Sequence, residues 1–538
     1  MTTTNFDWQV PYLHPRTPVF ARNVVATSQP LAAQAGLHIL RSGGNAVDAT
    51  IAAAAAIAIV EPVSNGLGSD AFAIIWDGKE LHGLNASGTA PATWDPEYFA
   101  KRHGGAMPER GVDSISVPGA VAGWGAMHKK FGSLPMADLL APAIELASGG
   151  YAVAPAVQKK WQSQAGLLQD QPGYKEVFMP QGRVPNVGER MSMPGAAATL
   201  KAIADEGADT FYQGDTAERL IGFLQQHDAT MTKADLEAFQ PEWCGTIACD
   251  YRGYQVHEIP PSGQGIAALM ALGMLDNLDL QGMPADSVVV RHLQIEAMKA
   301  AFADVYRYVG DIRYMEEVSV DDLLDKNYLA SRAKMIDPKK ATHFSQGKPP
   351  QGGTIYLTAA DANGMMVSFI QSNYMGFGSG VVAPDIGVSF QNRGSGFCLD
   401  AGHPNLVAPG KRPFHTIIPG FLMHQGNPQM SFGVMGGSMQ PQGHLQTVSR
   451  MLDHQQNPQA ACDAARWRVH DGLKIDLEKH MEQAVVDSLG QLGHEITEVE
   501  DSYMDFGSGQ FIWRMSGDIN DGYVGASDSR RDGHAACY

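Results

Sequence analysis

Between Ser28 and Pro62 apolar positions recur at helical spacing, with Leu31, Ala35, Leu37, Ile39 and Leu40 leading to the turn signal Gly43-Gly44-Asn45. A second, Ala-rich helix is predicted to about Ile59. It is apolar on nearly every side, so it must lie between layers, which points to a multilayer sandwich. From about Leu134 to Asn277 the pattern is mostly helical and amphipathic, with Asp228 and Thr230 as caps near its end. The texture changes over 344–353, a polar stretch rich in Gly and Pro that reads as an exposed linker. Two strand-like runs follow, Thr354 to Ala359 and Met365 to Ile370, around the hairpin signal Asp361-Ala362-Asn363-Gly364. Short strands (Gly387 to Phe390, Met430 to Val434) then alternate with helices (Leu445 to Leu452, Pro458 to Arg466).

Of 538 residues, 44% are hydrophobic and 18% charged, the balance of a folded protein and not of a disordered one. The net charge of −18 repels polyphosphates, and the chain carries no basic run to offset it, so nucleic acid is not expected as a partner. The N-terminus has neither a basic nor an apolar signal region, and the longest apolar run, Ala52 to Val60, falls far short of the ~20 residues a membrane helix needs. No membrane partner is expected. Five cysteines at unrelated spacings, Cys244, Cys249, Cys398, Cys462 and Cys537, read as reduced thiols in a cytoplasmic protein.

Several catalytic signatures are missing. There is no HExxH and no P-loop, and Gly436-Gly437-Ser438-Met439 is followed by Gln440 where a GxSxG elbow needs glycine. Gly66 to Ala71 imitates a GxGxxA dinucleotide fingerprint but follows a helix instead of a strand, so it reads as a tight structural loop. The eighteen histidines are scattered, no metal-ligand spacing stands out, and neither metal nor organic cofactor is expected.

Chemistry is carried by Gly353-Thr354. If that peptide bond were cut, Thr354 would hold a hydroxyl nucleophile and a free α-amine whose reference pKa of roughly 7.7–8.0 suits a general base. By itself a Gly-Thr after a linker is also an ordinary loop-to-strand junction. The surroundings decide it. SQPLAAQAGLHILRSGGNAVDATIAAA, EPVSNGLGSDAF, SVPGAVAGW, DYRGYQVHEIPPSGQG, GGTIYLTAADANG, GFGSGVV, APGKRP, MGGS and GASDSRRDG stand in the order in which they occur in the γ-glutamyltranspeptidase (glutathione hydrolase) family, which the chain resembles over nearly its whole length. The resemblance implies an α+β, four-layer αββα sandwich of the N-terminal-nucleophile hydrolase type. It also implies a zymogen that cuts itself between Gly353 and Thr354, leaving residues 1–353 and 354–538 as two subunits of one domain, with a homodimer of such heterodimers as a further expectation. By position, Thr354 becomes the nucleophile, Ser372 a second hydroxyl beside it, and Gly436 and Gly437 the pair whose N–H groups stabilise the oxyanion.

The departures bear on the substrate. Ser87 stands where the family usually has an arginine for the donor's α-carboxylate, and the two serines expected after Lys-Arg-Pro are represented by His415 and Thr416. The asparagine, glutamine and aspartate that read a donor ammonium fall at Tyr374, Arg393 and Gly396. The segment between Gly396 and Lys411 is short, from which a more open pocket is expected. These residues predict a threonine amidohydrolase acting on a small-molecule amide. Its acyl part is either γ-glutamyl or one with a carboxylate and no ammonium, such as oxamate or a glutaryl amide, and Arg393 would then grip that carboxylate. A different class of reading is an uncut, non-catalytic binding protein on the same fold.

Overall fold

The computed structural model describes residues 16–280, 282–344, 353–500 and 506–538. Most of the expected linker, 345–352, lies outside them. The Ala-rich run Ala46–Val60 is a helix with every residue buried. It starts from a reciprocal cap in which the Asn45 side chain accepts from Asp48 N–H while Asp48 accepts from Asn45 N–H. It packs against helices Pro30–Arg41 and Met136–Gly149 on the outside, and against strands Gly353–Ala360 and Met366–Tyr374 on the inside.

Those strands form the centre of a seven-stranded antiparallel sheet with the order His534–Cys537, Val24–Thr27, Gly353–Ala360, Met366–Tyr374, Asp70–Trp76, Leu81–Ala86, Glu242–Trp243. A second antiparallel sheet runs Val19–Ala21, Tyr523–Ser527, Gly509–Arg514, Asn427–Val434, Gly420–His424, Tyr254–Glu258, Ile247–Tyr251. Between the sheets, Val24, Phe72, Ile74, Tyr356, Ile370, Phe421 and Ile512 make one buried cluster. Each large apolar side chain there contributes about 1.5–3 kcal/mol. Helices Gly265–Leu275, Val288–Tyr308 and Met439–Leu452 cover the far side of the second sheet. The order is helix, sheet, sheet, helix, the expected αββα sandwich. No helix among the described residues is long and apolar enough to cross a membrane.

Local details differ from the pattern-based reading. The helical region before Asn277 is interrupted by the Ile247–Tyr251 and Tyr254–Glu258 hairpin, whose side chains alternate too weakly in polarity to stand out. Neither Asp228 nor Thr230 caps a helix. Thr232 does, in a reciprocal cap with Asp235, while Thr230 bonds Thr93. The helix expected from Leu445 begins at Met439. Pro441 lies in its first turn, where a missing N–H costs nothing, so it does not break the helix. The helix from Pro458 ends at Asp463, and Arg466 N–H turns instead to the Glu478 carboxylate at 2.6 Å.

Candidate functional site

Thr354 is the second residue of a central strand and is 1% exposed. Gly353 pairs with Tyr374 and Ile355 with Gln371, so Ser372 and Asn373 together face Thr354 in a bulge. The bulge aims Ser372 Oγ at Thr354 Oγ1, 3.0 Å away. Ser372 Oγ also accepts from Tyr374 N–H at 2.8 Å. On its other side the same strand pairs Ser372 with Asp70, which brings a carboxylate to the same end of the sheet. Gln440, notable in the sequence only for breaking a hydrolase motif, reaches Thr354 Oγ1 with Nε2 at 3.5 Å. Its orientation is set because its Oε1 accepts from Ile418 N–H at 2.9 Å.

Gly436 (φ +123°) and Gly437 (φ +61°) both occupy the left-handed half of backbone space, which glycine enters without strain. Neither of their N–H groups meets a protein acceptor among the described residues. The loop is held from the other side of the Gly353–Thr354 bond by Gln264, whose Nε2 donates to Gly437 O at 2.8 Å and to Thr416 O at 2.6 Å.

The residues expected to read the acyl group come together. Arg393 is fully buried, with its guanidinium 4.0 Å from the Tyr374 ring centroid and Nη1 donating to Thr416 Oγ1 at 2.8 Å. Its Nε and Nη2 have no partner among the described residues. Burial lowers its pKa to about 10, so it is charged at neutral pH. Ser87 Oγ is likewise buried without a partner, and the Ser87 carbonyl accepts from Arg412 Nε at 3.2 Å. Tyr374 holds an unusual positive φ of 76°, and burial pushes its hydroxyl up to about 12. Gly396 is where the family's aspartate would stand, but a Cβ there would lie 2.8 Å from Phe414 O, so this backbone leaves no room for one.

Asp70, loop-like in the Gly66 to Ala71 run of the sequence, opens a central strand and is the buried carboxylate beside Arg393 among the described residues. Its Oδ1 accepts from Gly88 N–H at 3.0 Å and its Oδ2 from His415 Nε2 at 3.1 Å. Ile417 N–H donates to His415 Nδ1 at 3.3 Å, which places the ring proton on Nε2. Burial, then the Arg393 charge, holds the His415 pKa well below the usual value, so the ring is neutral. Burial pushes Asp70 up to about 7, with Arg393 pulling it back.

The pocket is not the open one expected from the short 396–411 segment. Phe397 and Val407 pack with Ala90, Trp94 and Phe99, while Arg393, His415 and Thr416 are buried. His292, Glu296 and His494, distant in sequence or unremarked in it, meet within 4.8 Å. The cationic place there is taken by Lys299, with Nζ 2.5 Å from Glu296 Oε1, and the two imidazoles bond each other at 2.9 Å. A second, partly exposed group joins Asp77, Glu80 and His82.

A sequence profile described as Gamma-glutamyltranspeptidase matches residues 32–538. The glutathione hydrolase-like YwrD proenzyme of Bacillus subtilis is 35% identical, over 90% of this chain and 93% of its own. The oxamate amidohydrolase proenzyme of Klebsiella pneumoniae is 36% identical, over 94% of this chain and 97% of its own. Among solved structures, a cephalosporin acylase from Bacillus halodurans superposes with a TM-score of 0.94 at 45% identity, covering 100% of this chain and 99% of that one.

Proposed function

The chain belongs to the gamma-glutamyltranspeptidase family of N-terminal-nucleophile hydrolases, and from that premise we propose that it is a self-processing threonine amidohydrolase whose acyl donor carries a carboxylate and no α-ammonium. In processing, Thr354 Oγ attacks the Gly353 carbonyl carbon, the Gly353–Thr354 C–N bond breaks, and the acyl group passes to oxygen. Water then hydrolyses that ester. Residues 1–353 and 354–538 become separate chains of one fold, and Thr354 gains a free amine.

In turnover the amine takes the Thr354 hydroxyl proton as Oγ attacks the substrate amide. The oxyanion receives the N–H groups of Gly436 and Gly437, which the fold leaves unspent. The proton passes to the departing amine, and water cleaves the acyl ester to release a carboxylate. Ser372 orients Thr354 Oγ. The binding-protein alternative gives no reason for a hydroxyl pair at 3.0 Å beside two unpartnered backbone donors.

One observation carries the substrate class: a buried, charged Arg393 with Nε and Nη2 unpartnered. Buried guanidinium donors left without acceptors are costly, and a substrate carboxylate is the group that would satisfy that planar fork. An α-ammonium is disfavoured there by the charge of the buried Arg393, which acts on the same Asp70 carboxylate an ammonium would need. The relative named for oxamate, an amide of that carboxylate class, agrees with this reading. The test compares glutaryl-p-nitroanilide with γ-glutamyl-p-nitroanilide on wild type and Arg393→Ala. The glutaryl compound is expected to have the higher kcat/KM, and the substitution to lower it selectively by about 10- to 100-fold, the equivalent of roughly 1.5–3 kcal/mol for a charged hydrogen bond. A better γ-glutamyl substrate, or an equal loss on both, overturns the assignment.

A further inference from the structure

We propose that Asp70 is the proton store of the acyl pocket: when a donor carboxylate binds Arg393, Asp70 takes up one proton from solvent. This rests on the reading of Arg393 given above. Asp70 Oδ2 accepts from a neutral His415, and Asp70 pairs across the sheet with Ser372, one strand from Thr354. Among the described residues here, Arg393 is the fully buried cation and Asp70 the fully buried acid.

The groups facing Asp70 come from several elements. His415 and Arg412 approach from 411–416, Arg393 from the 393–396 turn, and backbone N–H groups from Gly88 and Gly119. Tyr212 lies within electrostatic reach, and its hydroxyl, donating to Pro118 O at 2.9 Å, stays neutral. Arg412 is paired with Glu242 at 2.9 Å, which leaves Arg393 as the cation without a carboxylate of its own. After cleavage the Thr354 amine is a further titrating neighbour.

With Asp70 ionised, the pocket is already neutral, and a second carboxylate would leave a net negative charge out of contact with water. Such a charge is strongly unfavourable in a buried site. Protonating Asp70 removes the excess, and the proton lands on an acid that burial already holds at about 7. A pKa raised in this way makes binding depend on pH in one direction: an anion binds better where Asp70 is protonated, below about 7, and worse above it. A midpoint near 7 gives a dissociation constant about tenfold weaker at pH 8 than at pH 6.

The probes are pyruvate and 5-oxohexanoate, methyl ketones shaped like oxamate and a glutaryl amide, titrated by calorimetry into the processed enzyme. For whichever binds, we expect the tenfold weakening between pH 6 and pH 8, and proton uptake revealed by buffers of different ionisation heat. We also expect a new protonated-carboxyl stretch in the binding-difference infrared spectrum, which the Thr354 amine cannot produce. Asp70→Asn should bind at pH 8 as tightly as wild type does at pH 6, with no pH slope. A flat wild-type profile, an unchanged slope in Asp70→Asn, or, should that variant not fold, the absence of the carboxyl band overturns Asp70 as the store. If Arg393→Ala keeps full affinity, or neither ketone binds wild type, the reading of Arg393 fails instead.

Discussion

Gln264 donates its side-chain amide to the carbonyl oxygen of Gly437 at 2.8 Å, from the segment before the Gly353–Thr354 bond to the glycine pair after it. The same Nε2 reaches Thr416 O, so one amide holds both the glycine loop and the residue that Arg393 grips. Gln264→Leu leaves the buried Thr416 carbonyl unpaired, at about 1–3 kcal/mol, and leaves Gly437 O only the Gln440 N–H at 3.1 Å. Steady-state kinetics on the processed variant should show a lower kcat with a smaller change in KM. An unchanged kcat would show that the glycine loop keeps its position without Gln264.

Thr354→Ala lacks the hydroxyl on which the acyl shift depends. On a denaturing gel it should remain at 57.7 kDa, whereas wild type should give fragments of about 38 and 20 kDa by residue share. The smaller fragment should begin Thr-Ile-Tyr-Leu on N-terminal sequencing. A cut Thr354→Ala protein would move the nucleophile elsewhere.

Ser372→Ala removes the 3.0 Å contact to Thr354 and also the acceptor for Tyr374 N–H. The first loss is worth roughly 0.5–1.5 kcal/mol and an unpaired N–H adds about 1–3 kcal/mol. Both processing and turnover should slow by about one to two orders of magnitude while circular dichroism and the melting curve change little. Wild-type rates in both would remove Ser372 from the site.

Acid stability has a separate origin in Asp528. This carboxylate is fully buried against Arg466 at 2.8 Å and Arg530 at 3.1 Å. Burial raises its pKa, but the two arginines win and hold it at about 2, below the ordinary 3.8. A depressed carboxylate adds stability above its unfolded pKa and loses it as pH falls through its folded one. Denaturant midpoints should therefore be level above about pH 4 on this account and fall between about 4 and 2. Asp528→Asn takes from Arg466 its paired carboxylate and from Arg530 one of two, and should cost about 3–5 kcal/mol at neutral pH. A midpoint unchanged in that variant would show that Glu478, 2.6 Å from Arg530, carries the cluster alone.

What the sequence determined by itself is local or modular. The all-apolar Ala46–Val60 run announces a helix buried on every side, Asp361 to Gly364 announces a hairpin, and the ordered blocks around Gly353-Thr354 announce the sandwich and carry the proposal of Thr354 as nucleophile. Each follows from a periodicity, a turn preference or a contiguous motif, which are properties of neighbouring residues. What only the tertiary structure decided is which distant groups share one low-dielectric space. Asp70, 345 positions from His415, was indistinguishable from loop until strand pairing set it beside Ser372. Gln264 and Gln440 carried no signal because an amide's value lies in the two partners its orientation reaches. Against the expected open pocket, Arg393, His415 and Thr416 are buried, and burial is not encoded in the length of a segment. Burial and electrostatic coupling are sums over three-dimensional neighbours, so the state of Arg393 and of the acid near it is written in the fold and not in the local string.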